Sequence, residues 1–246
     1  GSTGAQGVTG PTGTNLHKNR LINPNGQIWE RNNSGAAAIT DGVYTFDRWY
    51  GLVQSAGITI SQLINVEDTT PYMMRLLQAN ASAQRFGIAQ VIESANIIDA
   101  RGQAVTLSVR VRMSAATTLR YAIVEWTGTA NSPTKDIVND WTSSTFTTGN
   151  FFTSVSTVVV ATGSSALAAN TLTTISVSGT VSGSMNNLVV FFWTDSTQAQ
   201  NVTFDIAKAQ LEIADTATSF EVRNFTAEQL MAAYYYRVAG GFDAHE

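Results

Sequence analysis

The sequence predicts an antiparallel β-sandwich of the jelly-roll type, with a short helix near its end. Three observations lead to this fold class. Apolar segments of strand length recur along the 246-residue chain. Most of them are bounded by Gly, Ser, Asn or Asp clusters, which favour turns. Only one segment, close to the C-terminus, has the pattern of a helix. Roughly ten strands, many turns and one terminal helix are typical of such a sandwich.

Residues 1–15 have glycine at every third position and nowhere between. In a collagen triple helix only glycine fits beside the common axis, so this period predicts three associated chains. Pro11 is the only proline in the segment, and a triple helix this short would be weak on its own. The alternative is a flexible linker that starts with a cloning scar at Gly1 and Ser2. We predict a collagen-like stem over residues 1–15 and a single head domain over residues 16–246.

The first part of the head alternates apolar segments with turns. An apolar segment starts at Leu21 and is interrupted by residues 23–26 (NPNG), which are dense in turn formers. A second turn is predicted at residues 41–42, and residues 43–53 are strand-like and aromatic. Within that segment, Asp47 and Arg48 are interpreted as a structural ion pair and not as an active site, since a charged pair inside an apolar strand must find partners or face solvent.

The body of the head repeats a strand pattern. Residues 105–113 alternate cleanly between apolar and polar, which indicates a half-buried strand. In residues 202–213 the parity of the apolar positions changes, which predicts a β-bulge near Ala207 and Lys208. The other predicted strands cover residues 85–92, 121–126, 155–160, 172–181 and 188–193.

The predicted helix covers residues 226–237. Residues 226–229 match a capping box, and Phe225 and Leu230 are placed to form a hydrophobic staple. The sequence leaves open whether the helix docks on its own sandwich or on a neighbouring subunit. Its apolar positions are Leu230, Met231, Tyr234 and Tyr235.

Composition excludes several classes of function. Charged residues make up 13% of the chain, the net charge is −4, and no basic stripe is present, which argues against a nucleic-acid partner. The chain has no cysteine, so disulfides and thiolate metal sites are excluded. No apolar run is long enough to span a bilayer and no signal peptide is recognised. We therefore expect no membrane insertion, and release by lysis unless a leader is missing.

Three groups of segments share features with a known family: residues 21–31 with 41–49, residues 102–108, and residues 201–212 with 217–223 and the tyrosines at 234–236. Together they resemble the globular heads of bacteriophage and prophage tail-fibre-like proteins, which are similar in architecture to carbohydrate-binding modules. Ser219 departs from the proline that the family often has at that position. The resemblance implies a jelly-roll head on a fibre of the virion surface, with surface glycans as the usual target class.

Enzymatic functions have little support in the sequence. The two histidines, His17 and His245, have no neighbours that resemble a catalytic triad or a metal cluster. No phosphate-binding glycine loop and no nucleophile elbow is present. A glycosidase needs only two carboxylates, and 18 acidic residues are available, so a capsule-degrading glycosidase stays an alternative.

The tryptophans suggest where a sugar could bind. Trp141 lies in a long polar connection, residues 128–150, beside Asp136, Asn139 and Asp140, and long loops on a rigid sandwich often carry binding sites. The alternative is that Trp141 anchors this loop to the sandwich. The other four tryptophans are expected in the core: Trp29, Trp49, Trp126 and Trp193. A second predicted rim consists of Asp195, Gln198 and Gln200.

No cofactor is predicted. In carbohydrate-binding modules similar to this head, an acid on the last strand often helps to hold a structural calcium ion. The resemblance would place Asp205 and Glu30 at such a site. Calcium takes six to eight oxygen ligands, and the sequence offers only these few.

Together these observations predict a non-enzymatic, homotrimeric fibre protein whose head recognises a bacterial surface polysaccharide. Its stem would join other virion proteins, and its location would be the virion surface, or extracellular after lysis. The structural alternative is a trimerisation knob or capsid decoration fibre without a ligand of its own.

Overall fold

A computed structural model describes residues 17–31, 36–64 and 70–236. The predicted stem, Arg237 at the end of the predicted helix, and His245 lie outside these residues. The described part of the head is an antiparallel jelly-roll β-sandwich with a short helix near its end, which confirms the predicted fold class. None of its helices has the length and apolar character needed to cross a bilayer.

The described residues form eleven strands and two helices, and a short 3₁₀ turn, Ile98–Ala100, follows the first helix. The elements are β1 (Ala37–Ile39), β2 (Tyr50–Val53), β3 (Ile58–Ile64), β4 (Tyr72–Leu77), β5 (Phe86–Ile92), α1 (Ser94–Ile97), β6 (Ala104–Met113), β7 (Thr117–Trp126), β8 (Thr157–Leu167), β9 (Thr173–Thr180), β10 (Asn187–Thr194), β11 (Thr203–Glu212) and α2 (Phe225–Ala233).

The strands form two facing sheets. Sheet A has the order β1-β3-β4-β11-β6-β9 and sheet B the order β2-β5-β10-β7-β8. The main core lies between them, and β6 contributes every second residue to it, as its alternation predicts. These inward residues, each at most 1% exposed, are Val105, Leu107, Val109, Val111 and Met113.

The bulge predicted in the last strand is confirmed. The register of β11 against β6 shifts between Ala207 and Gln210, and Lys208 has a positive φ of 50°. The strand predicted over residues 43–53 is wrong in part, because only Tyr50–Val53 is a strand. The chain turns before it, and Arg48 takes a φ of 78° there.

A second apolar cluster covers the outer face of sheet B. The long connection between β7 and β8 folds over this face and inserts Ile137, Val138, Phe151 and Phe152 against side chains of β10. Trp193 of β10 is fully buried, with its ring stacked on Phe151 at 5.1 Å. This face of the sandwich is therefore closed by its own loop.

The outer face of sheet A has a charged row across three strands. Asp205, only 1% exposed, accepts hydrogen bonds from Arg75 at 2.7 and 2.8 Å and from Arg112 at 2.9 and 3.0 Å. Two cations already flank this carboxylate, which makes the position unsuitable for the calcium ion that the resemblance would place there. Glu30, the other residue of that predicted site, precedes β1 and donates its backbone N–H to the Asp47 carboxylate at 2.6 Å.

We expect Asp205→Ala to lower the free energy of unfolding by about 3 kcal/mol, because it leaves two partly buried guanidinium groups without their shared anion. Urea denaturation measures this loss. The exposed Asp215→Ala is the matched control and should change stability little. Equal effects of the two substitutions would contradict the structural role of the row.

Candidate functional site

The N-terminal segment, residues 17–31, is fixed to the sandwich by buried amide side chains. Asn19 accepts hydrogen bonds from the backbone N–H groups of Leu21 and Leu211 at 3.0 and 3.1 Å. The Gln90 amide pairs with both backbone groups of Ile22, at 2.9 and 2.8 Å. Because these partners are buried, the segment has a defined position beside the sheets.

Asn23 shapes the turn predicted at residues 23–26. It has a positive φ of 58°, and its side chain accepts from the Ile28 N–H at 2.9 Å and donates to the Ile28 carbonyl at 2.7 Å. The buried indole of Trp49 donates to the Asn23 carbonyl at 2.9 Å. The turn and the predicted role of Trp49 as a core anchor are both confirmed.

A buried ion pair attaches α2 to this segment. Arg223 and Glu228, whose side chains are 3% and 2% exposed, lie 2.9 Å apart. Arg223 also donates to the carbonyls of Asn19, at 2.9 Å, and Leu21. The other oxygen of Glu228 accepts from the Asn23 N–H at 2.5 Å. Both charges are therefore paired and hydrogen-bonded, as burial requires.

The start of α2 differs from the prediction. Asn224 is the N-cap, and its side chain accepts from the Ala227 N–H at 2.8 Å, so the capping box predicted at residues 226–229 is wrong. The staple is wrong as well, because Phe225 and Leu230 are 54% and 68% exposed. The side-chain oxygen of asparagine is as good a helix cap as a hydroxyl oxygen. Here it places the first turn two residues earlier than predicted.

The helix docks on its own chain. Met231, Ala232 and Tyr235 pack against Ile22 and Ile28 of the N-terminal segment. One face of α2 therefore docks within its own chain and not on a neighbouring subunit, which the sequence had left open. Leu230 and Tyr234 are exposed.

A cavity of about 430 Å³ lies between the N-terminal segment, α1 and α2. Ile22 and Met231 contribute apolar surface, and Asn96 donates to the Tyr235 hydroxyl at 2.9 Å. Arg20 lines the cavity and is held by Asp99 at 2.6 Å. The cavity thus combines an apolar lining with an amide, a phenol and a guanidinium group.

Tyr234 forms an aromatic wall at this cavity. Its side chain is 84% exposed, and its ring is edge-on to that of Tyr235, with centroids 5.0 Å apart. The exposed ring face is available to a molecule in the cavity. Tyr235 itself separates this cavity from a second one.

The second cavity, of about 260 Å³, is lined by stacked cations. The guanidinium of Arg48 lies 3.6 Å from the centroid of Tyr235, and that of Arg31 lies 3.7 Å from the centroid of Tyr236. Arg48 also forms an ion pair with Glu93. Burial and the Glu93 charge raise the pKa of Tyr235 to about 12, although Arg48 acts in the opposite direction.

The charges predicted at residues 47 and 48 have separate partners. Asp47, 1% exposed, accepts from the Glu30 N–H at 2.6 Å and lies 3.4 Å from the Arg31 side chain. Burial raises the pKa of Asp47, and its hydrogen bond from Glu30 opposes this shift. The predicted ion pair of Asp47 with Arg48 is therefore wrong, because Asp47 pairs with Arg31 and Arg48 with Glu93.

Trp141, predicted as a sugar platform or a loop anchor, packs onto sheet B. Its ring meets Phe151 and Phe191 edge-on at 5.7 and 6.1 Å and is half-buried. Arg85 donates to the carbonyls of Trp141 and Ser143, which holds the loop at this point. The described contacts are those of an anchor.

The polar residues beside Trp141 shape the loop. Asp140 accepts from the Thr142 N–H and hydroxyl at 2.8 and 2.7 Å, and these bonds lower its pKa. Asp136 accepts from the Val138 N–H at 3.0 Å, and partial burial raises its pKa. Asn139 donates to the Asn150 carbonyl at 3.0 Å.

The second predicted rim is held by local contacts too. Asp195 accepts from Arg120, whose guanidinium lies 3.6 Å from the centroid of the Phe146 ring in the loop. Gln198 is buried and donates to Thr117 at 3.0 Å, and Gln200 donates to the Ala79 carbonyl at 2.9 Å. Arg120 therefore links this rim to the Trp141 loop, and neither set lines the two cavities described above.

Sequence reasoning does not identify the cavity between the N-terminal segment, α1 and α2. Ile22, Tyr234 and Tyr235 line it and stand out in the sequence as parts of the family motifs, the two tyrosines also as apolar positions of the predicted helix. No local pattern in the sequence shows that these residues meet.

The described residues that line the cavity include no Asp or Glu. Across the described ranges, no group of three or more His, Cys, Asp or Glu residues is placed to hold a metal ion.

No protein-family model matches the chain, and no curated protein matches it. Similar solved structures include the enzymatically active domain of bacteriophage CBA120 tailspike protein 4, with 14% identity over 80% of this chain and 22% of that chain, at a TM-score of 0.47. The CBM22-1-GH10 modules of Clostridium thermocellum xylanase 10B, complexed with xylohexaose, share 16% identity over 76% of this chain and 30% of that chain, at 0.44.

TmCBM61, in complex with β-1,4-galactotriose, shares 9% identity over 80% of this chain and 100% of that chain, at a TM-score of 0.44. The chain spans less than a third of the tailspike and xylanase chains. At these scores the similarities assign neither a site nor an activity to this chain.

We expect Glu228→Ala to lower the free energy of unfolding by about 3–5 kcal/mol, because it leaves the buried Arg223 charge unpaired. Thermal and urea unfolding measure the loss. Glu221→Ala, at a more exposed carboxylate, is the control and should cost less. An unchanged midpoint for Glu228→Ala would show that α2 does not depend on this pair.

The raised pKa of Tyr235 predicts a pH effect. Because the fold favours the neutral phenol, this contribution to stability is fully present below about pH 10 and is lost between about pH 10 and pH 12. When the pH is raised through this window, the urea concentration at the unfolding midpoint should fall further for the wild type than for Tyr235→Phe. Tyr72→Phe is the control and should follow the wild type; identical curves for all three would refute the prediction.

Proposed function

We propose that the head binds a carbohydrate in the cavity between the N-terminal segment, α1 and α2. The observation that carries the proposal is the exposed ring of Tyr234 beside the Asn96 amide and the Arg20 guanidinium. A sugar presents apolar C–H faces and hydroxyl edges, so an aromatic face next to planar hydrogen-bonding groups is complementary to it.

The size and the lining of the cavity support this ligand class. Its volume of about 430 Å³ lies within the range of small-molecule sites, roughly 300–1,000 Å³. Such sites are mainly apolar with a few polar groups that fix orientation, and Ile22, Met231 and Asn96 fit that description.

We propose that the site binds its sugar without hydrolysing it. Hydrolysis of a glycosidic bond normally needs two carboxyl groups on opposite sides of the bond. The described lining has none, and the acids that contact its residues are engaged there: Asp99 with Arg20, Glu228 with Arg223, and Glu221 with the Asn19 N–H.

We further propose that the chain is a homotrimeric fibre protein of a phage-like particle, with residues 1–15 as its collagen-like stem. The Gly-X-Y period and the family resemblance support this. The stem would join other virion proteins, and the heads would face a bacterial surface polysaccharide. Three weak sites on one stem would bind a repeating polysaccharide with useful avidity.

Tyr234→Ala should weaken sugar binding about fivefold, since an aromatic contact of this kind contributes about 1 kcal/mol. Affinity electrophoresis in gels that contain purified bacterial polysaccharides would first identify a retained ligand. Titration calorimetry with a soluble oligosaccharide derived from that polysaccharide then measures the affinity of a single site.

Val158→Ala, an exposed apolar residue on β8, is the matched control and should bind like the wild type. Both side chains are exposed, so neither substitution should unfold the head. Equal affinity of Tyr234→Ala and the wild type would rule out this cavity as the site. Failure of the wild type to bind any polysaccharide in the panel would contradict the proposed function.

A further inference from the structure

Arg31 presents a stacked guanidinium group to the second cavity. This group lies 3.7 Å from the centroid of the Tyr236 ring and 4.7 Å from that of the Tyr44 ring, and all three side chains line the cavity. Of the described residues, Asp47 alone pairs with it, 3.4 Å from Nε, and the Arg31 side chain is 25% exposed. The stacking fixes the plane of the group, and its terminal nitrogens are left to donate to a ligand.

The charges that line the second cavity favour an anion. Of the described residues in its lining, Arg31 and Arg48 carry a positive charge and Glu93 a negative one. Glu93 already forms an ion pair with Arg48, and Asp47, which pairs with Arg31, is not part of the lining. The charge that the cavity presents to a ligand is therefore mainly that of the Arg31 guanidinium.

Arg48 has two features that are typical of a binding site. Its φ of 78° is in the left-handed region, which residues other than glycine seldom occupy. Its side chain is 6% exposed, and its buried Nε has no hydrogen-bond partner among the described residues, although Nη2 donates to the Val91 carbonyl at 2.9 Å. Strained backbone and unpaired buried donors are unfavourable for the fold alone and are found mostly where a protein binds or reacts.

The rest of the lining suits a sugar unit better than a small inorganic anion. Three of the described lining residues are tyrosines, whose rings offer apolar faces and whose hydroxyl groups both donate and accept hydrogen bonds. The volume is about 260 Å³, compared with about 430 Å³ for the first cavity, so the second cavity has less room for a ligand. The tyrosines are Tyr44, Tyr235 and Tyr236.

We propose that the second cavity binds the carboxylate of an acidic sugar unit, so that the saccharide recognised by the head is a uronate-type polymer. The planar guanidinium of Arg31 matches the two oxygens of a carboxylate. Tyr235 lines both cavities, so adjacent units of one saccharide chain occupy them. This inference rests on the sugar site in the proposed function and specifies its substrate class.

The probes for this inference are alginate, polygalacturonate and the acidic members of a panel of bacterial polysaccharides. Each is compared in affinity electrophoresis with its carboxyl-reduced form, in which every carboxylate has become a primary alcohol while the rings and linkages are unchanged. We expect the full chain to be retained by an acidic polymer and much less by the reduced form of the same polymer. The retention should also weaken with added salt, since charges attract the ligand.

Arg31→Gln should weaken binding of the retained acidic polymer about tenfold, because a hydrogen-bonded charge pair is lost. Arg101→Gln is the matched control: it removes one exposed positive charge that lines neither cavity, and it should bind like the wild type. Arg31→Lys keeps a positive charge near Asp47 but lacks the planar fork, and it should bind more weakly than the wild type. Near-UV circular dichroism checks the fold, and Arg31→Lys decides the test if Arg31→Gln is unfolded.

Each other outcome contradicts a different part of the account. Retention by neutral polymers alone, or retention that survives carboxyl reduction, would overturn the acidic substrate class and leave the sugar site beside α2 in place. Equal loss of binding in Arg31→Gln and Arg101→Gln would show a general charge effect and overturn the second cavity as the carboxylate site, as would unchanged binding in a folded Arg31→Gln. A wild type retained by no polymer, acidic or neutral, would contradict the proposed function and this inference with it.

Discussion

The buried ion pair between Arg223 and Glu228 is the interaction on which the candidate site depends. It joins α2 to the N-terminal segment, and its remaining hydrogen-bonding capacity is used by the backbone of Asn19 and Asn23. Without it, Met231 would be held by a small apolar contact with Ile22 and Ile28, and Tyr235 by that contact, the hydrogen bond from Asn96 and the stacked Arg48 guanidinium. The N-terminal segment and α2, two of the three walls of the cavity, have no regular sheet pairing, so their relative position depends on these polar contacts. We infer that the pair fixes the position of α2, because removing one partner would leave the other charge buried and unpaired.

The two sheets of the sandwich support the N-terminal segment and α2. Sheet B is closed on the outer side by the loop that includes Trp141 and Phe151, which removes the sheet face as an open binding surface. Two cavities lined by described residues lie on either side of Tyr235 instead. Their lining residues lie outside the strands of the two sheets, on segments of the kind that often carry binding residues.

The sheet pattern could be predicted well from sequence. Alternation in β6 and the parity change at Ala207 and Lys208 follow from local periodicity, which is present in a single sequence. The cavity could not be predicted in the same way, since it joins residues near positions 20, 96 and 235, and no local pattern reports such contacts. Trp141 shows a related limit: a tryptophan in a polar loop reads equally well as a ligand platform or an anchor until Phe151 and Phe191 are seen beneath it. The cap of α2 is Asn224 and not Thr226, because the Asn224 side chain accepts from the Ala227 N–H and the helix begins two residues earlier than predicted.

The central claim is that a sugar binds beside α2 and not at the Trp141 loop. Hydrogen–deuterium exchange with and without a saturating soluble oligosaccharide tests it most directly, because it reports both places in one experiment. We predict slower exchange in α1 and α2, at Ser94–Ile97 and Phe225–Ala233, and unchanged exchange in residues 139–146. Protection confined to residues 139–146 would contradict the claim and assign binding to the loop.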